Sequence, residues 1–289
     1  MNTVLDPLRW RLAVLLAAAI TVPIGRVAAP AALGLLPVAP GSEADLRPAP
    51  NPGGTQTQAR SERPVPFRAG EVLIYDVSWS TYLTAGTLTV SVREKRPSFG
   101  SVAYYVTGEG RPTPLLSKLY SLYYKADTLV DVYTLLPQRG STYSEESGRR
   151  RMKITRFNHA ARTVQFEMQT ATVFKKELAV PPYSQDILSA LVVIRALPLK
   201  TGTKITMPVC DGGDLYRATI VVGARELVRT GLGPMNALKI VPAVTDSRGR
   251  PSGRGMALWI TDDARRLPVK LQAELAVGSF VLVLREAKG

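Results

Sequence analysis

Leu258-Trp259-Ile260-Thr261-Asp262-Asp263-Ala264-Arg265-Arg266-Leu267-Pro268-Val269 decides the fold class. An apolar run enters a paired-acid turn, two arginines follow, and Leu-Pro-Val opens a second apolar run. That order reads as strand, tight polar turn and strand. A fainter echo lies in the first half of the chain. Tyr123-Tyr124-Lys125-Ala126-Asp127 stands 135 residues before Leu258-Trp259-Ile260-Thr261-Asp262, and Leu136-Pro137 stands 131 residues before Leu267-Pro268. Gly202-Thr203-Lys204-Ile205-Thr206-Met207-Pro208-Val209 repeats the pattern of Gly70 to Val77 at an offset of 132, which also carries Glu94 onto Glu226. Ordered anchors at a nearly constant offset describe two similar β halves. Joined in one chain, such halves form one continuous curved sheet or barrel.

Working outward, Leu73, Tyr75, Val77 and Trp79 alternate with Ile74, Asp76 and Ser78, and Leu88, Val90 and Val92 alternate with polar neighbours. Period-two alternation predicts half-buried antiparallel strands. Further strands are expected over Val102–Thr107, Tyr120–Ala126, Ser141–Glu145, Met152–Phe157 and Thr163–Thr170, with a hairpin turn at Asn158-His159-Ala160-Ala161 and another at Gly212-Gly213-Asp214. Leu115–Tyr124 fits a short helix or a helical lead-in to a strand. One segment breaks the β pattern: Ile187, Leu188, Leu191 and Val192 recur at helical spacing between Ser184 and Pro198. A helix over about 184–196 is expected, with Ser184 as N-cap and Asp186 in the first turn. The predicted fold is mainly β: a large curved antiparallel sheet or half-barrel, halves about 67–180 and 200–287, and one helix between them packing on the sheet.

Arg9 and Arg11 precede an apolar run of eleven residues, Leu12 to Val22. A membrane-spanning helix needs about 20. Residues 1–29 therefore read as a signal peptide or signal anchor, which places the protein outside the cytoplasm, in the periplasm or at the outer membrane. Residues 30–66, dense in Pro, Gly and Ala, read as a disordered linker. The folded domain is expected over 67–287.

The chain of 289 residues carries 37 Lys+Arg against 23 Asp+Glu, a formal charge of +14. The excess is spread along the strands, with one dense group at Arg149-Arg150-Arg151, Lys153 and Arg156. No nucleic-acid motif accompanies it. His159 and Cys210 are the sole histidine and cysteine. One of each is too few for the usual zinc sites, and no nucleophile elbow, phosphate loop or dinucleotide fingerprint occurs. No catalytic residue, metal or cofactor is expected. Asp262, Asp263 and Arg266 form a polar cluster whose first reading is a turn clamp, with a ligand at one rim as the alternative.

A frame of motifs runs through the domain: Phe67-x-x-Gly70-Glu71-x-Leu73-x-Tyr75-x-Val77-Ser78-Trp79, then Ala85-Gly86-Thr87, Asp127 and Leu136-Pro137. Asp186-Ile187-Leu188-Ser189-Ala190-Leu191 with Arg195 follows, then Leu199-x-x-Gly202, Trp259 to Val269 and Gly278-Ser279. In this order they resemble DUF3108, an exported bacterial domain of unknown function. The resemblance implies a β-rich envelope protein and no chemistry. By fold analogy alone, the sheet-plus-helix plan is similar to that of periplasmic lipoprotein carriers, which hold acyl chains.

Two readings follow. In the first, the curved sheet binds a lipid or lipoprotein acyl chain in an apolar cavity under the helix, lined by Tyr75, Val77, Trp79, Leu188, Leu191 and Trp259. In the second, basic strands around Arg149 to Arg156 recognise an acidic glycan or envelope protein, with a filled core and one contiguous positive face.

Overall fold

The computed structural model describes residues 60–79, 83–119, 122–146, 148–275 and 278–289. The segment read as a signal and residues 30–59 of the linker lie outside them. Fourteen strands form one antiparallel sheet. In the first half β1 (Glu71–Trp79), β2 (Leu83–Ser98), β3 (Ser101–Pro112), β4 (Leu122–Asp131), β5 (Pro137–Glu146), β6 (Arg149–Asn158), β7 (Thr163–Gln169) and β8 (Val173–Ala179) follow one another. The second half contains β9 (Lys204–Asp211), β10 (Asp214–Thr230), β11 (Gly233–Asp246), β12 (Arg254–Thr261), β13 (Pro268–Leu275) and β14 (Gly278–Lys288). Two helices interrupt them, α1 (Pro114–Leu119) and α2 (Ile187–Ala196). β8, β11 and β14 carry no clear alternation and escaped the sequence reading.

Consecutive strands pair except β8 and β9, and β1 also pairs with β14, so the sheet order runs from β8 down to β1 and then from β14 down to β9. The halves are thus joined by an eight-rung ladder from Val72–Lys288 to Trp79–Phe280. The other two ends, β8 and β9, meet differently. Gln185, in the connection after β8, makes a parallel bridge with Val209. Its N–H donates to the Pro208 carbonyl at 2.9 Å, and its carbonyl accepts from Cys210 N–H at 2.7 Å. Lys176 of β8 reaches the Gly213 carbonyl at 2.7 Å. Val164, Val180 and Cys210 form a small apolar cluster across the join. Gly212 and Gly213, both with positive φ, turn β9 into β10. A two-residue turn of that handedness favours glycine, and a Cβ on Gly213 would stand 2.6 Å from the Phe166 ring of β7.

The halves repeat one another in backbone detail. Gly70 N–H donates to the Val92 carbonyl at 2.7 Å, and Gly202 N–H to the Val222 carbonyl at 2.8 Å. Val132 N–H reaches Val102 at 3.0 Å, and Asp262 N–H reaches Asn236 at 3.1 Å. Asp131 N–H bonds Leu136, and Thr261 N–H bonds Leu267, both at 2.9 Å. These bonds equate β1–β5 with β9–β13. They also correct one expectation: the acid that organises the first turn is Asp131, not Asp127. Asp131 Oδ1 accepts the Tyr133 and Thr134 N–H groups, whereas Asp127 lies within β4 and accepts from Ser141 at 2.5 Å.

α2 is buried on both sides because each half needs it. Leu188 and Val192 join the apolar core of the first half, and Ala190 and Ile194 join that of the second. The helix starts later than the sequence pattern suggested. Tyr183 has φ +63° and Gln185 is held in the bridge to β9, so helical backbone begins only after Asp186. Asp186 is the N-cap. Its carboxylate accepts Ser189 N–H at 2.8 Å, and Ser189 Oγ accepts Asp186 N–H at 3.0 Å, a reciprocal cap. Ser184 donates instead to the Pro181 carbonyl.

The expected ambiguity at Leu115–Tyr124 resolves into α1 followed by β4. The folded region also starts before Phe67. Arg63 N–H donates to the Val132 carbonyl at 3.0 Å, and Val65 packs on the core. An apolar side chain and a backbone donor suffice to tie down this last stretch of the predicted linker.

Candidate functional site

The concave face of the sheet and α2 enclose an apolar cavity of about 240 Å³. Its walls come from alternate residues of both halves. Tyr75, Leu88, Val90, Gly108 and Tyr124 stand on the first side. Met207, Ala218, Ile220, Ile240, Leu258 and Leu271 stand on the second, with Ile187, Leu188, Leu191 and Ile194 of α2 as the roof. Strand alternation explains the selection, since Ile240, Leu258 and Leu271 occupy consecutive paired positions and point the same way. The cavity extends past Pro242 and Met256 to Glu274, an exposed residue.

The polar groups in this wall are few and include the Tyr75 and Tyr124 phenols, Gln272, and the carboxyl groups of Asp211 and Glu274. Tyr75 Oη donates to the Pro268 carbonyl at 2.7 Å. Tyr124 Oη is buried with no hydrogen-bond partner among the described residues. Burial pushes both phenols well above their ordinary range; for Tyr124, the nearby Asp211 and Asp186 carboxyls add to the shift. Beside the cavity, a polar recess of about 40 Å³ is lined by Asp127, Lys153, Thr155, Asp186 and Asp211.

Of the residues proposed from sequence, Tyr75, Leu188 and Leu191 line the cavity. Val77, Trp79 and Trp259 are not among its lining. Pairing of β1 with β14 runs unshifted from Tyr75–Leu284 to Trp79–Phe280, so Val77 and Trp79 keep the face of Tyr75; the Trp79 ring stacks on Phe280 at 6.3 Å. Trp259 lies on the opposite side from Leu258. Its indole N–H donates to Glu226 at 2.7 Å, and the Lys239 and Lys270 ammonium groups stand 5.3 and 4.4 Å from its ring centre. The sequence reading missed the wall built by Met207, Ala218 and Ile220. The alternation was visible there, and only the curvature of the sheet was not.

Asp262, Asp263 and Arg266 do not line the cavity either. Asp263 Oδ1 accepts the Arg265 and Arg266 N–H groups at 3.0 and 3.1 Å and the Thr261 hydroxyl at 2.8 Å. Asp262 pairs with Arg225 and lies 4.0 Å from Arg266. The turn thereby presents the Arg265 and Arg266 carbonyls, which accept from the guanidinium of Arg195 at 3.2 and 3.0 Å. The same guanidinium forms a bidentate pair with Glu71 at 2.6 and 3.0 Å. Both ion-pair partners are buried. The motif is therefore a seat for the C-terminal end of α2, and Arg195 links β1 to the turn before β13.

His159 Nε2 lies 2.7 Å from the Pro137 carbonyl, and its ring stacks on Phe157. Cys210 is buried, and burial together with Asp186 and Asp211 pushes its thiol up to about 12. Among the described residues, no group of three or more His, Cys, Asp or Glu side chains is placed to hold a metal ion. No described helix is long and apolar enough to cross a membrane.

Residues 74–285 match the family described as "Protein of unknown function (DUF3108)". No curated protein matches the chain. Among solved structures it is similar to a β-barrel-like protein of domain of unknown function DUF1849 from Brucella abortus, at 10% identity and TM-score 0.48, over 75% of this chain and 96% of that one. A Bacteroides fragilis protein with a YmcC-like fold, provisionally described as exported, matches at 11% identity and TM-score 0.34, over 79% of this chain and 100% of that one. A Parabacteroides distasonis protein, provisionally described as a lipoprotein, matches at 9% identity and TM-score 0.35, with the same coverage of 79% and 100%.

Proposed function

We propose, from the premise that the chain belongs to the DUF3108 family, that it is a non-enzymatic exported protein of the cell envelope that holds an apolar ligand, a lipid or lipoprotein acyl chain, between α2 and the concave face of its sheet. The observation that carries this reading is the apolar cavity of about 240 Å³. An engineered apolar cavity of about 150 Å³ stays dry and binds benzene. The space opens past exposed Glu274, so without an occupant water meets its apolar walls; covering them with hydrocarbon stabilises by roughly 25 cal/mol per Å². Hydrocarbon in the space restores the missing dispersion contacts.

The wall favours this ligand: apolar side chains make up most of it, and of its two carboxyl residues Asp211 is shared with the polar recess and Glu274 is exposed. The alternative, an acidic partner on the basic strand, has weaker support. Arg149, Arg151 and Lys153 alternate along β6 with Arg150 and Arg156, so neighbouring basic groups address opposite faces. Arg150 and Arg156 also have acidic partners, Glu145 and Glu167, each at 3.6 Å.

The test is equilibrium titration of the full chain with 11-(dansylamino)undecanoic acid, alongside Ala218→Trp, which places an indole in the cavity. Saturable binding by the natural chain and loss of binding in the folded variant are expected. Equal binding by both, or by neither, overturns the reading.

A further inference from the structure

The cavity wall has a break in its backbone ladder. β11 and β12 are bonded over four rungs only, from Ala237–Thr261 to Ile240–Leu258. Continuing that register would set Pro242 opposite Met256. The even-numbered residues of β11 turn their backbone groups toward β12, since Val244 accepts from Ser252 N–H on that side at 2.8 Å. Pro242 therefore faces the same gap and has no N–H to offer it. Pairing resumes at Thr245–Pro251. Five residues of β11 are spanned there against seven on the other side, so two residues are in excess. Gly253 and Gly255 absorb them with φ of +77° and +57°, a backbone region glycine reaches without steric cost. The Met256 side chain folds back over the break, and a Cβ on Gly253 would come within 2.7 Å of Met256 Cε. Pro242, Val244, Gly253, Met256 and Ala257 all line the cavity. Here the wall is made of side chains alone.

We infer that an apolar chain enters and leaves the cavity sideways, between β11 and β12, and that Met256 is the gate. The inference rests on the cavity being a ligand site and adds its route of exchange. A thioether suits the role because methionine is unbranched and moves among rotamers at little cost. A lateral slit admits a linear chain of single-chain width and leaves its head group outside.

Stopped-flow fluorescence of the full chain with 11-(dansylamino)undecanoic acid tests this. Met256→Trp narrows the slit, and association and dissociation should both slow by about tenfold, as a gate acts on both rates. Met256→Ala should speed both. Lys153→Trp, at the polar recess near β8 and β9, should leave both rates unchanged. The route is overturned if Met256→Trp weakens binding through faster release at unchanged association, which makes Met256 only a wall residue. It is equally overturned if Lys153→Trp slows exchange while Met256→Trp does not. Absence of binding by the natural chain, or undiminished binding by Ala218→Trp, instead overturns the cavity as a ligand site.

Discussion

Two hairpins occupy equivalent places in the two halves, and only one of them is sealed. β3 and β4 are bonded over eight consecutive rungs, from Ala103–Asp131 to Gly110–Tyr124. β11 and β12 hold four and then part. The equivalent backbone bonds, Val132 to Val102 and Asp262 to Asn236, place Gly108 and Ala126 where the second half has Pro242 and Met256. Gly108 and Ala126 form a rung; Pro242 and Met256 do not. The first pair is small, so the sheet closes and leaves space for Leu188, whose Cδ1 would stand 4.0 Å from a Cβ on Gly108. The second pair removes a donor and adds a mobile side chain. Two halves with one strand plan thus differ in permeability through a few residues, and the difference falls on the wall of the cavity.

The comparison holds only while α2 is seated against both halves, and Arg195→Ala breaks it most severely. Removing one partner of a buried ion pair costs about 3–5 kcal/mol. The variant leaves Glu71 and two carbonyls unpaired. Thermal denaturation should show a large drop in Tm, and Glu71→Ala added to it should cost less than it does alone. Valine at the two equivalent positions sharpens the contrast. Gly108→Val should destabilise by about 1–3 kcal/mol, because its methyls overpack Leu188. Pro242→Val should stay within about 1 kcal/mol, because the site is open. Urea denaturation of both variants reads the difference directly.

The turns that follow these hairpins differ in their response to pH. Burial pushes the Asp131 carboxyl up, but hydrogen bonds from Ser101, Thr134 and Tyr133 outweigh it and hold the group below its usual range. A lowered native pKa stabilises the fold above the unfolded value, about 3.9. That share is lost as pH falls through the lower native value. Asp131→Asn should therefore be less stable at neutral pH and lose less on acidification. An effect of opposite sign belongs to Asp186. Burial raises this carboxyl more than Thr128, Ser189 and Leu188 lower it. Its contribution is complete below the unfolded pKa and declines as pH rises through the native one. Asp186→Asn keeps a capping oxygen and should flatten the decline in stability above about pH 4, measured by urea midpoints.

β1 to β7, α2 and the repeat were legible because period-two and helical spacing are local. The face of Trp259 was not, because Leu258, Trp259 and Ile260 are all apolar and alternation is silent there. Val77 and Trp79 alternate cleanly with Tyr75 and keep its face, and only how far the cavity runs along β1 was not legible. Asp127 was aligned with Asp262 by motif, whereas the backbone places the turn acid four residues later, at Asp131. The helix start moved from Ser184 to Asp186 because a bridge formed by Gln185 with a distant strand overrides local capping preference. The slit was half-written in Pro242 and the glycines after it, but its meaning depends on knowing that β11 and β12 are neighbours.

Native mass spectrometry of the full chain, purified without detergent, tests the ligand site most directly. The natural chain should carry one apolar molecule per protein, or take up one added fatty acid, and folded Ala218→Trp should carry none. A natural chain that is empty and stays empty in the presence of fatty acid would contradict it.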